Sequence, residues 1–65
     1  MYFLYVKFKG QTQFRPMNWS KGTQVINLMH ATMFTPEEVH TLKTVDLPAN
    51  TDIDYEFRKV RGWGA

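Results

Sequence analysis

The sequence predicts an α+β fold: a small antiparallel sheet of three to four strands with one helix packed on one face, in the order ββ(β)αβ. Three observations carry that prediction. Residues 2–9 alternate, with Leu4, Val6 and Phe8 on one side and Phe3, Tyr5, Lys7 and Lys9 on the other. Residues 53–60 repeat the pattern, setting Ile53, Tyr55 and Phe57 against Asp54, Glu56 and Arg58. Between them stands Thr35-Pro36-Glu37-Glu38. Period two with aromatic and β-branched residues marks a strand with one buried face. A threonine cap, proline at the first helical position and glutamate three residues after the cap mark the start of a helix.

The elements follow in order. After the first strand, Gly10-Gln11 supplies a turn and residues 12–17 return as a second strand. Pro16 lacks a ladder donor, which places that strand at an edge or ends it there. Residues 18–22 form a loop with Trp19 as its large anchor. Residues 23–34 fit either a helical stripe (Val25, Ile26, Met29, Met33) or alternation from Leu28 onward. They are taken as a turn or helical piece over 22–27, then a strand over 28–34. The helix runs over 36–45, with Phe34 and Val39 stapling its start and Val39, Leu42 and Val45 as its apolar stripe, Leu47 lying beyond. Glu37 and Glu38 suit the positive end of its dipole, and Pro48 closes it. A polar turn over 49–52 leads into the last strand, and the tail over 61–65 is flexible in composition apart from Trp63. The expected core is Leu4, Val6, Phe8, Phe34, Val39, Leu42, Ile53, Tyr55 and Phe57.

Composition narrows the class. Sixty-five residues make one domain near the lower limit for an unstapled hydrophobic core. There is no cysteine, so packing or self-association must hold the fold. Ten aromatics and 43% hydrophobic residues argue against disorder. Residues 2–6 are apolar but are followed by Lys7 and Lys9, without a basic leader or cleavage site, and the uncharged stretch 22–36 is too short to span a bilayer. A soluble cytoplasmic protein with no membrane role is expected.

The charges are segregated. All six acids lie between Glu37 and Glu56, while Lys7, Lys9, Arg15 and Lys21 precede them and Arg58, Lys59 and Arg61 follow. Folding either leaves separate charged surfaces or brings the blocks together and cancels them, with Lys7 and Lys9 facing Asp54 and Glu56 as cross-strand pairs.

The chain resembles a type of small protein encoded by phages and prophages of Gram-positive bacteria. The stretches that carry the resemblance are Phe14-Arg15-Pro16-Met17, the run from Asn27 to Glu38, and Tyr55-Glu56-Phe57-Arg58-Lys59-Val60. The most distinctive part is Ala31-x-x-Phe34-Thr35-x-Glu37-Glu38. The resemblance implies an accessory protein of a mobile element, and some small phage proteins of this size inhibit host enzymes or defences by binding them. It assigns no catalytic or binding residues.

His30 and His40 lack metal-ligand spacing, Ser20 lacks a nucleophile elbow, and the pairs Glu37/Glu38 and Asp52/Asp54 are explained by a helix cap and by a turn with an exposed strand face. No catalytic residue, metal or cofactor is assigned, and no enzyme is expected. The remaining set is basic and aromatic: Tyr5, Lys7, Lys9, Arg15, Arg58, Arg61 and Trp63. Aromatics beside arginine make protein-interface anchors, and a protein partner ranks first. Nucleic acid ranks second, since the same face could stack bases and track phosphates. A homodimer through the exposed sheet face or a free edge is a third use of these residues.

Overall fold

Strand β1 (Tyr2–Phe8) organises the molecule because both of its edges are paired. In this computed structural model, which describes residues 1–49 and 52–61, strand β5 (Ile53–Lys59) runs antiparallel along the whole of one edge, from Tyr2 opposite Lys59 to Phe8 opposite Ile53. The other edge is shared. Strand β2 (Arg15–Asn18) covers Tyr5 and Val6, and strand β4 (Met33–Phe34) covers Tyr2 and Phe3. Strand β3 (Thr23–Gln24) pairs outside β2. The predicted α+β architecture is what the chain adopts.

Alternation along β1 separates two faces. Leu4 and Val6 are fully buried beneath the helical segment, with Met17, Phe34, Val39, Leu42 and Leu47 completing the core. Tyr2, Trp19, Ile53 and Phe57 pack around its rim. Trp19, Phe34, Phe57 and Tyr55 meet in a row of edge-to-face contacts with centroids 6.1–6.4 Å apart, the geometry that aromatic quadrupoles favour. Two expected core residues are corrected: Phe8 and Tyr55 are each 36% exposed. Both sit on the predicted face, but toward the end of β1 and beside the outer edge of the sheet, where little chain packs over them. Met17 and Leu47 take up core positions in addition to those expected.

The turns follow from local chemistry. Gly10 (φ +91°) lets the chain reverse, with Gln11 N donating to Phe8 O at 2.9 Å. Pro16 accepts from Val25 N at 2.8 Å but has no N–H to return, and the β2–β3 ladder stops there. The second strand starts later than in the predicted span 12–17, at Arg15, and it lies between two others rather than at an edge. The predicted strand over 28–34 is also corrected. Asn27 Oδ1 accepts from Met29 N at 2.9 Å and folds Leu28–His30 into a 3₁₀ turn, leaving only Met33–Phe34 in the sheet. Of the turn or helical piece expected over 22–27, Thr23–Gln24 is the strand β3 and no helix forms there.

Helix α1 (Pro36–Thr41) opens with the predicted capping box: Glu38 N donates to Thr35 Oγ1 at 3.2 Å, and Thr35 N to Glu38 Oε1 at 2.9 Å. Phe34 and Val39 are both buried at the staple positions. Beyond Thr41 the helix widens into a π-helical stretch, Leu42–Asp46, and then tightens to a 3₁₀ turn, Leu47–Ala49. Pro48 offers no amide to the carbonyl of Thr44 and its ring crowds that carbonyl, so an α-helical turn cannot be completed there. Instead Leu47 N donates to Leu42 O, five residues back. This moves the apolar stripe. Val45 is 64% exposed and Leu47, only 1% exposed, fills the place predicted for it.

Leu47→Ala is therefore expected to destabilise the domain by about 2–5 kcal/mol, while Val45→Ala stays within about 0.5 kcal/mol of the parent. Urea unfolding followed by circular dichroism separates the two; equal losses would contradict the displaced stripe. Thr35→Ala should cost about 1 kcal/mol in the same assay through loss of the cap.

Candidate functional site

The face of the sheet opposite the core carries Phe3, Tyr5 and Lys7 from β1 and Asp54, Glu56 and Arg58 from β5. Register sets Phe3 against Arg58, Tyr5 against Glu56 and Lys7 against Asp54. Lys7 Nζ lies 3.8 Å from Asp54 Oδ2 and 5.1 Å from the centre of the Phe14 ring. The Arg58 guanidinium sits 4.0 Å over the Tyr5 ring while its Nε donates to Glu56 Oε1 at 2.8 Å and its Nη2 to the same oxygen. That hydrogen bond with Glu56 is the main reason the Arg58 pKa lies above its ordinary value, burial opposing it weakly. The group is a fixed cation at any working pH.

The face divides into two ends. At the Lys7 end, charge is cancelled across the strands. At the other end a groove of about 690 Å³ opens, floored by Phe3, Tyr5 and Met33 and walled by Leu28 and Met29 of the 3₁₀ turn. Arg58 and Arg61 stand at its rim. Met29 is 85% exposed and Met33 45% exposed. The wall is held by hydrogen bonds from the end of β2 and the residue after it: Asn18 Nδ2 donates to His30 O at 2.9 Å and Trp19 N to Thr32 Oγ1 at 2.8 Å.

Of the residues singled out in sequence, Tyr5, Arg58 and Arg61 come together at this groove. Lys7 lies on the same face but is paired with Asp54. Lys9 is at the far end beside Asp52 and Ile53, and among the described residues it forms no ion pair. Of the possible pairing of Lys7 and Lys9 with Asp54 and Glu56, the Lys7–Asp54 pair forms, while Glu56 is engaged by Arg58. Arg15 pairs opposite Val6, a core residue, so it leaves β2 on the helix side and stands apart from the groove. Trp63 lies outside the described residues. Besides Phe3, which shares the strand face of Tyr5, the residues that sequence reasoning left out of the site are Leu28, Met29 and Met33. Their signal was a run from Val25 to Met33 with apolar side chains in every phase, more than one strand or helix face can bury.

Among the described residues no group of His, Asp or Glu gathers as metal ligands would, and no helix is long and apolar enough to cross a membrane. Compared with protein-family models, with curated proteins and with solved structures, the chain finds no match.

The stack and the ion pair should differ in double-mutant cycles. Arg58→Lys with Tyr5→Leu is expected to give a coupling of about 0.5–1 kcal/mol that depends on the flat guanidinium. Lys7→Ala with Asp54→Ala should give less than about 1 kcal/mol and fade with added salt. A Tyr5–Arg58 coupling as salt-sensitive as the ion pair would argue that stacking is absent in solution.

Proposed function

We propose that this chain is a small non-enzymatic binding protein whose open sheet face docks a segment of another protein. In line with the sequence resemblance, the setting is that of a phage or prophage accessory protein in a Gram-positive cytoplasm, acting on a host or phage protein, as an inhibitor when that partner is an enzyme. The observation that carries the reading is the groove, where exposed Met29, Met33 and Leu28 line one apolar surface rimmed by Arg58 and Arg61. A surface of this kind exposes apolar area that folding alone would bury. Flexible methionines adapt to a partner's side chains, and tyrosine with arginine supplies rigid anchors.

Nucleic acid ranks below protein for a specific reason. Of the cations that could track a phosphate backbone on this face, Lys7 and Arg58 are held by Asp54 and Glu56 on the same face, which leaves Arg61 at the rim. Those carboxylates repel phosphates, and an apolar groove offers nothing to a sugar–phosphate chain.

The test uses the intact protein as bait in a Gram-positive host lysate, alongside Met29→Asp, Met33→Asp and the distant exposed-apolar control Val45→Asp. One captured protein is expected to be retained by the parent and by Val45→Asp, and lost or weakened at least about tenfold by either groove variant. Generic single- and double-stranded oligonucleotides should show no binding at about 50 mM salt. Oligonucleotide binding that falls steeply with salt, or capture unaffected by the groove variants, would overturn the reading.

A further inference from the structure

The outer edge of β5 carries an inference independent of the groove. Lys9 N donates to Asp52 O at 3.2 Å and Val60 N to Met1 O at 3.0 Å. Hydrogen-bonding direction alternates along a strand. The even-numbered residues of β5 therefore turn their amides and carbonyls toward β1, and Ile53, Tyr55, Phe57 and Lys59 turn theirs away. No other described strand pairs with that side. The strand is seven residues long and contains no proline or glycine to blunt it. Such an edge is a template for strand addition.

We propose that the occupant of this edge is β5 of a second copy, antiparallel, with the two-fold axis at Phe57. The argument is charge complementarity read through register. Both copies offer free amides only at odd-numbered residues, so odd must face odd, and the possible axes fall on single residues. An axis at Tyr55 sets Asp54 against Glu56. One at Glu56 brings Asp54 opposite Arg58 but sets the two glutamates against each other at the axis, and one at Arg58 sets the arginine against its own copy. Like charges directly opposite are destabilising.

The axis at Phe57 avoids every such clash. It puts Glu56 opposite Arg58 of the second copy and Arg58 opposite its Glu56. Each of these residues is already joined to the other within its own strand, so the four side chains close an alternating square. On the core side Phe57 meets its own copy at the axis, and Tyr55 faces Lys59 of the second copy. Residues opposite one another share a face, so both helices lie on one side of the joined sheet and both grooves on the other. The pairing is isologous and closes at two chains.

Sedimentation or light scattering of the intact protein across the micromolar range should give twice the chain mass. Glu56→Arg alone and Arg58→Glu alone each place like charges opposite, and each is expected to raise the dissociation constant by roughly tenfold. The double exchange, Glu56→Arg with Arg58→Glu, restores the square and should return it to near the parent value. A register readout is independent of affinity. The chain has no native cysteine, and Glu56→Cys with Arg58→Cys should oxidise to a covalent dimer, whereas Glu56→Cys alone should not. A monomer throughout the range, a dimer indifferent to the single reversals, or cross-linking by Glu56→Cys alone would each overturn the proposal. Circular dichroism of every variant confirms that it is folded.

Discussion

The alternation of β1 is the constraint on which the rest depends. One face of that strand supplies Leu4 and Val6, the two residues of the sheet with no exposure at all. The other supplies Phe3 and Tyr5, the floor of the groove. A one-residue slip against β5 would exchange the two sets, burying the groove floor and exposing the core. Pairing with β5 along the full length of β1, and with β2 and β4 on the other side, makes that slip costly. Core and groove are thus two readings of one register.

The charge pattern shows how the register disposes of segregated charge. The acidic block does not form a continuous surface. Asp54 and Glu56 are carried by β5 to the sheet face, where Lys7 and Arg58 meet them. Glu37 and Glu38 stay at the first turn of the helix, where the capping box and the macrodipole accommodate them. Among the described residues, what remains unpaired near the groove is basic, with Arg61 at its rim. The cancellation is local, and each ion pair is of the exposed kind that contributes little to stability.

The legible parts of the fold were those dictated by neighbours in sequence. The capping box needs only Thr35 and Glu38, and the strand faces need only period two. The illegible parts were set by competition between a local pattern and one intruding residue. Residues 28–34 alternate well enough for a strand, yet the Asn27 side chain captures the Met29 amide and curls the chain. The stripe at Val39 and Leu42 extrapolates to Val45 on α-helical spacing, yet Pro48 forces a wider turn and Leu47 is buried in its place. For the site, Tyr5 and Arg58 were legible because their strands are. The methionine wall was not, because its position depends on hydrogen bonds from Asn18 and Trp19 that span a dozen residues.

Pro16 has a consequence that reaches past its own turn. By ending the ladder between β2 and β3 it keeps the sheet's far margin to a two-residue strand, too little backbone to recruit another chain. Strand β4 is also two residues, so among the described residues β5 is the one long open flank. A molecule with two long open flanks can propagate into a fibre, whereas one with a single open flank exhausts its capacity in the first encounter. The missing amide of one proline thereby acts as a terminator, and the chain can carry a sticky margin without the hazard of polymerisation.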